Sequence, residues 1–149
     1  MKLKLYLDTS VFNALLDPNA PERQSATLRF WGHLSDYAIA TSDVTVREIK
    51  DCPDPLRRGR LLALLEGVTV IGLTSEMQEL AERYVRADVF TTGMMDDALH
   101  VAAAVLSRQD VIVAWNFRHL VNRRRRALVN DVNVSAGLPS IDIVSPPEM

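Results

Sequence analysis

The chain has 149 residues, of which 48% are hydrophobic and 24% are charged. This length and composition predict one soluble domain over residues 1–149, with enough apolar side chains for a single core. The 17 Lys and Arg residues face 19 Asp and Glu residues, which gives a net charge of -2. This balance excludes a polycation that coats nucleic acid with its whole surface, so any nucleic-acid binding has to be local.

The cysteine count and the N-terminal residues indicate the cellular compartment of the protein. The single Cys52 excludes a disulfide framework and a multi-cysteine metal site, and it is typical of a reducing compartment. The first residues reach an acid, Asp8, too early to form the apolar core of a signal peptide. No stretch approaches the roughly 18 to 20 apolar residues that cross a bilayer. We therefore expect a cytoplasmic protein that does not associate with membranes.

Short apolar runs alternate with longer amphipathic segments along the chain. The short runs predict strands at residues 3–7, 37–40, 68–71, 111–114 and 141–144. Apolar residues three and four apart predict helices at 22–34, 43–51, 55–66, 75–87, 95–108 and 121–131. A start signal, Ser75-x-x-Gln78, opens one of these helices. Strands that alternate with helices predict an α/β fold, with a central parallel sheet of about five strands flanked by helices.

Asp8 is the first candidate site residue because it directly follows the first predicted strand. In open α/β sheets, ligands bind in the crevice at the carboxyl ends of the strands, which is where this position falls. An Asp in this place also caps the following turn by accepting hydrogen bonds from free backbone N–H groups. The sequence leaves both interpretations open.

Glu48 and the pair Asp96–Asp97 are further candidates. Glu48 follows the second strand, although Thr45-x-x-Glu48 also matches a capping box on the surface. The two Asp residues begin a helix, where acids favourably meet the helix dipole. Asp97 shares a helix face with apolar neighbours, which indicates an acid that is drawn inward.

Several carboxylates that converge in a partly apolar crevice repel one another and are costly to bury. A divalent cation removes both costs. Because the ligands are all oxygens and no cysteine accompanies them, the expected ion is Mg²⁺ or Mn²⁺ rather than zinc.

Four segments of the chain, in this order, carry a resemblance. They are Leu7-Asp8-Thr9-Ser10, Ser42-Asp-Val-Thr-Val-Arg-Glu-Ile49, Asp97-Ala-Leu-His-Val-Ala-Ala103 and Val113-Ala-Trp-Asn-Phe-Arg-His-Leu120. Together they resemble the PIN-domain family, and specifically the VapC-like toxin ribonucleases of bacterial toxin–antitoxin systems and their stand-alone relatives. The resemblance spans nearly the whole chain and implies a single PIN-like domain with a parallel sheet.

The resemblance implies roles for individual residues. Asp8, Glu48 and Asp97 match the acids that hold one or two Mg²⁺ or Mn²⁺ ions, and Asp97 is preferred over Asp96 because it directly precedes Ala-Leu-x-x-Ala-Ala. Many members carry a further acid in the turn after the fourth strand, where this chain has Asn116 and His119. Asn116 still offers a neutral oxygen to a metal or its water, but the lost charge weakens metal affinity.

The implied reaction is endonucleolytic hydrolysis of RNA phosphodiester bonds by a metal-activated water. Glu48 is a candidate to orient that water. Thr9 and Ser10 either bind the phosphate or cap the turn, and Arg118 is a candidate phosphate ligand. The run of four Arg residues at 123–126 either pairs with RNA as well or forms a solvated helix start. An antitoxin partner and a homodimer are also implied.

Two other classes of function remain possible at this point. The loss of the fourth acid at Asn116 suits a PIN-fold module that binds RNA or protein with little or no catalysis. A phosphoacceptor receiver also places acids at strand ends, but the chain lacks an acidic pair after the first strand and a downstream lysine, since its only lysines are Lys2, Lys4 and Lys50.

His100 shares a helix face with Asp97, so it is either a packed, hydrogen-bonded histidine or a second ligand or proton donor. We expect the packed histidine. Phe30, Trp31 and Leu34 are spaced for one helix face, and we expect them to pack rather than to stack on bases.

Overall fold

Five short strands pair in parallel to build the central sheet of the computed structural model, which describes residues 1–149. The strands are β1 (Lys4–Leu7), β2 (Ala38–Ser42), β3 (Thr69–Ile71), β4 (Val111–Val113) and β5 (Asp142–Val144). Their order across the sheet is β3-β2-β1-β4-β5. The predicted α/β fold with a five-stranded parallel sheet is confirmed.

Seven helices flank the sheet. They are α1 (Thr9–Leu15), α2 (Pro21–Trp31), α3 (Asp43–Lys50), α4 (Pro55–Leu64), α5 (Ser75–Arg86), α6 (Met95–Leu106) and α7 (Arg123–Ser135). Single 3₁₀ turns lie at Leu34–Asp36, Thr92–Met94 and Pro146–Glu148. None of the helices combines the length and the apolar character that crossing a membrane requires.

The alternation of side chains along the strands gives the sheet two buried faces. Leu5 and Leu7 of β1 point to one face, where they join apolar residues of α1 to α4, among them Phe12, Phe30, Ile49 and Leu61. Tyr6 points to the other face, where it joins residues of α5 to α7, among them Leu80, Leu99, Val101 and Val129. Because helices cover both faces, nearly every strand residue near the centre is apolar, as expected for a buried parallel sheet.

The structure corrects three local predictions. Helix α1 was not predicted, although it directly follows β1. The N-cap of α3 is Ser42, so Thr45 lies inside the helix and the capping-box interpretation of Thr45 and Glu48 is wrong. Thr74, rather than Ser75, caps α5 by accepting a hydrogen bond from the Met77 amide. In both cases the capping residue precedes the sequence match, because the extended backbone ends one to three residues earlier than the match implies.

The strand order places a crevice beside β1. The chain runs outward from β1 to β2 and β3, and then returns to β4 on the other side of β1. The helices after β1 and β4 therefore leave in different directions, which opens a crevice at the carboxyl ends of these two strands. The Asp8 amide still donates to the Val113 carbonyl at 3.0 Å, so Asp8 lies at the floor of this crevice.

Candidate active site

Asp8 both caps a helix and faces the crevice, so the two interpretations of this residue hold together. Its Oδ2 accepts hydrogen bonds from the Ser10 amide at 3.1 Å and from the Ser10 hydroxyl at 2.6 Å, which starts α1. Its Oδ1 makes no hydrogen bond and lies 3.4 Å from Nε2 of His100. One carboxylate oxygen is thus fixed by the fold, and the other is left for the site.

Glu48 is held in the crevice by two side chains from other elements. Its Oε1 accepts a hydrogen bond from the Thr9 hydroxyl at 2.8 Å and lies 2.6 Å from Nε2 of His100. Glu48 is half-buried on α3, whereas Thr9 is buried on α1. These contacts orient the carboxylate and leave its Oε2 without a partner in the chain.

His100 is a buried, hydrogen-bonded histidine, as expected, and it lies at the centre of the acidic cluster. Only 1% of the residue is exposed. Its Nδ1 lies 2.7 Å from the Tyr6 hydroxyl, which in turn lies 2.6 Å from the Ser42 hydroxyl. A chain of hydrogen bonds therefore runs from β2 through β1 and α6 to Glu48.

The charges of this cluster stabilise one another. Burial acts to lower the pKa of His100, but the Tyr6 oxygen, Asp8 and Glu48 together raise it well above the usual value for histidine. Burial acts to raise the pKa of Glu48, but the hydrogen bond and the charge of His100, with help from Thr9 and Arg47, lower it overall. The favoured state is therefore an imidazolium beside an ionised carboxylate.

Asp97 points into the crevice and Asp96 points away from it. The side chain of Asp97 is 19% exposed and its Oδ2 lies 3.0 Å from Nδ1 of His119, in the turn after β4. The side chain of Asp96 is 54% exposed and pairs with Arg47 at 2.9 Å on the protein surface. Burial and the negative charge of Asp8 raise the pKa of Asp97, although His119 and His100 partly offset this effect.

Three further predicted site residues, Ser10, Asn116 and Arg118, do not contribute a carboxylate to the crevice. The Ser10 hydroxyl accepts a hydrogen bond from the Trp115 amide at 2.9 Å and so ties the end of β1 to the end of β4. The side-chain oxygen of Asn116 accepts from the His119 amide at 2.9 Å, which shapes the turn that carries His119. Arg118 is exposed and its guanidinium group has no partner in the chain. Ser10 and Asn116 therefore build the crevice, while Arg118 lies free beside it.

The donor set suits a hard cation. No three His, Cys, Asp or Glu side chains converge closely enough to enclose an ion as they stand. However, Asp8 Oδ1, Glu48 Oε2 and Asp97 Oδ1 each lack a hydrogen-bond partner, and no unpartnered side-chain oxygen in the structure is fully buried. One open carboxylate oxygen on each acid is the chemistry that Mg²⁺ or Mn²⁺ takes. The acids fit such an ion, although the imidazolium of His100 already offsets part of the charge of Asp8 and Glu48.

Sequence reasoning missed part of this network. Nothing in the sequence distinguishes Tyr6 from an ordinary core residue, because its hydroxyl meets His100 only after β1 and α6 have packed. The link between His119 and Asp97 was also missed, although the position of His119 in the turn after β4 had marked it as a candidate in place of an acid.

Comparisons with known proteins place the fold. No protein-family model matches the chain, and no curated protein matches its sequence. Among solved structures, a chain of FitAcB from Neisseria gonorrhoeae is 12% identical, with a TM-score of 0.60 over 97% of this chain and 99% of that one. A chain of VapBC2 from Rickettsia felis, bound to a DNA fragment from their promoter, is 12% identical, with a TM-score of 0.59 over 95% and 97%. A toxin–antitoxin complex from Klebsiella pneumoniae contains a chain that is 18% identical, with a TM-score of 0.56 over 81% and 93%.

At these low sequence identities, the similar structures establish the fold of this chain. The protein has the α/β fold found in toxin–antitoxin complexes, in agreement with the resemblance to VapC-like PIN domains.

Proposed function

We propose that the protein is a Mg²⁺- or Mn²⁺-dependent endoribonuclease of the PIN type. The observation that carries this proposal is that Asp8 and Glu48 both contact the buried His100, while Asp97 is partly buried on α6, where burial and the charge of Asp8 raise its pKa. Each acid keeps one oxygen open. Burying three carboxylates in one crevice is costly, and a scaffold without a charged ligand has no use for that arrangement.

The residues of the chain have separable tasks in this reaction. Asp8, Glu48 and Asp97 would hold the ion, and Asn116 would hold at most a metal-bound water. When bound, the ion supplies a nucleophilic water at neutral pH and offsets charge on the phosphate. Thr9 and His100 hold Glu48 in its ionised form, so that Glu48 Oε2 is available either to the ion or to a hydrogen bond from the attacking water.

A catalytically weak module that binds RNA or protein is the second candidate. His100 already supplies positive charge to Glu48, His119 lies 3.0 Å from Asp97, and a neutral Asn116 stands where many PIN domains have an acid. In this case the histidines would take the place of the ion, and the crevice would bind without cleaving.

The partners follow from the fold likeness. The similar solved structures include toxin–antitoxin complexes, so we propose that this chain is a toxin whose activity an antitoxin restrains. A cytoplasmic location, a homodimer and a single domain over residues 1–149 belong to the same proposal. The single sheet, with one core on each face, supports the last of these.

The decisive test compares Asp97→Asn with Asp96→Asn. Both variants remove one negative charge from the same helical turn, but only Asp97 faces the crevice. We expect Asp97→Asn to lose Mn²⁺-dependent RNA cleavage and to weaken Mn²⁺ binding measured by calorimetry. We expect Asp96→Asn to retain both. Equal behaviour of the two variants would reject the site, and a wild type that binds no Mn²⁺ would favour the binding module.

A further inference from the structure

A cavity of about 430 Å³ is lined by residues of the turn after β4 and of the first turns of α7. Its lining includes three arginines, Arg118, Arg124 and Arg125, and a single acid, Asp88. The chain as a whole has a net charge of -2, so this cavity departs strongly from the average surface. We call it the arginine groove.

The three arginines differ in what holds them. Arg125 is fixed, because it donates a hydrogen bond to the Val89 carbonyl and lies 4.8 Å from the centre of the Phe90 ring. The guanidinium groups of Arg118 and Arg124 have no hydrogen-bond or salt-bridge partner, and both residues are exposed. Unpaired arginines that line one concave surface are suited to phosphate groups, which they bind through forked N–H donors.

An exposed aromatic ring borders the arginine groove. Phe117 is 45% exposed and is the single aromatic residue among the exposed large hydrophobic side chains. It is also supported from behind: its ring meets the Trp115 ring edge-on at 6.0 Å, and the Arg23 guanidinium lies 5.4 Å from its centre. A braced ring at the edge of a basic groove is the arrangement on which unpaired bases stack.

The turn after β4 connects the groove with the acids. The same four residues, 116–119, place Phe117 and Arg118 in the groove and His119 against Asp97. The charge of Asp97 also reaches Arg125, where it acts to raise the pKa, although burial lowers that pKa overall. The groove and the contact between His119 and Asp97 are therefore carried by one short turn.

We propose that the arginine groove binds a single-stranded segment of nucleic acid next to the crevice. One unpaired base stacks on Phe117, and Arg118 and Arg124 each pair with a backbone phosphate. This inference rests on the proposed function for the identity of the strand as RNA. A duplex does not fit the arrangement, because its bases are not free to stack on a protein ring.

The test measures the binding of a short fluorescent single-stranded RNA by anisotropy in EDTA, where no divalent ion supports cleavage. We expect Phe117→Ala to weaken binding about fivefold or more and to leave the salt dependence unchanged, because it removes stacking alone. We expect Arg118→Ala and Arg124→Ala each to weaken binding and to reduce the slope of log K against log salt by about 0.7.

The control variants distinguish base stacking on residue 117 and phosphate pairing by Arg118 and Arg124 from the loss of any surface arginine and from misfolding. Arg60→Ala removes an exposed arginine that lines neither site, and it should bind like the wild type. Phe117→Tyr retains a ring and should also bind like the wild type, whereas Phe117→Leu retains only the apolar volume against Trp115 and should resemble Phe117→Ala. Phe117→Leu therefore decides the question if the alanine variant does not fold. A duplex of the same sequence should bind independently of residue 117.

The outcomes also separate this inference from the proposed function. If Phe117→Leu and Arg124→Ala bind like Arg60→Ala, or if the wild type binds no single strand, the groove inference is wrong and an acidic protein partner becomes the better occupant. If these variants lose binding while the wild type cleaves no RNA with Mn²⁺, the groove stands and the nuclease proposal fails. A DNA strand that binds equally well would support the groove as a site for either sugar.

Discussion

At the scale of single residues, His100 explains how the fold tolerates its acidic crevice. An imidazolium that is 1% exposed would be unfavourable alone. Here it lies 2.6 Å from Glu48 and 3.4 Å from Asp8, and the Tyr6 hydroxyl satisfies its second nitrogen. The cation and the acids therefore depend on each other.

We predict that His100→Asn destabilises the protein strongly, by about 3–5 kcal/mol, because it leaves buried carboxylates without their counter-charge. Urea unfolding in EDTA would measure this loss. His33→Asn is the matched control, because His33 is largely exposed and its contact with Asp36 spans 3.9 Å. If both variants unfold at the same urea concentration, His100 does not stabilise the acids.

The sequence predicted the acids of the candidate site but not the hydrogen bonds that hold them. Asp8, Glu48 and Asp97 carry a signal because each follows a strand or begins a helix. The inward direction of Asp97 followed from its apolar neighbours on α6. The bonds from His100 to Tyr6 and Glu48 join residues 94 and 52 positions apart, and no local pattern encodes such a distance.

At the scale of elements, α1 shows why a short helix escapes prediction. It has seven residues, five of them buried, so its apolar residues form no stripe that could be told from a buried run. Its start depends on the Asp8 cap, which sequence alone did not separate from a site role. The longer helices α3 to α5 were predictable because each carries an amphipathic pattern over two or more turns. Helix α6 is buried without interruption from Ala98 to Val105, and its length distinguishes it from a strand.

The cap predicts a difference between two substitutions of Asp8. Asp8→Asn keeps a side-chain oxygen that accepts from the Ser10 amide, whereas Asp8→Ala removes it. Both variants lose the same charge. We therefore predict that Asp8→Ala is less stable than Asp8→Asn by about 1 kcal/mol, as measured by thermal unfolding. Equal stability would show that α1 forms without its cap.

Tyr84 joins α5 to α7, because its buried hydroxyl donates a hydrogen bond to the Asn133 side chain. Burial raises the pKa of Tyr84 well above its usual range. A group with a raised pKa in the folded state stabilises the fold below its unfolded pKa, which for tyrosine is about 10, and this contribution is lost as the pH rises further.

We therefore predict that wild-type stability falls as the pH rises above about 10, and that Tyr84→Phe falls less steeply over the same interval. Urea unfolding on both sides of this pH would measure the two slopes. Tyr37→Phe, on the partly exposed Tyr37, serves as the control and should keep the wild-type slope. A steep decline in Tyr84→Phe would contradict this assignment.

At the scale of the whole molecule, the fold class followed from the alternation of strands and helices, but the strand order did not. Periodicity gives the type of each element and nothing about its neighbours. That β1 lies between β2 and β4 depends on packing between residues far apart in sequence. The resemblance to PIN domains implied a parallel sheet and one shared site for Asp8, Glu48 and Asp97, but it did not give the strand order.

The position of β1 also determines when, during synthesis, the crevice can form. β1 hydrogen-bonds to β4 over Leu5–Leu7 and Val111–Val113, so the crevice has no second wall until residue 113 has left the ribosome. A chain still being translated carries Asp8 on an unpaired strand edge, without Asp97 or the turn at 116–119 beside it. Under the proposed function, a nascent chain cannot cut the messenger from which it is being read until the turn at 116–119 has been translated and has folded against β1.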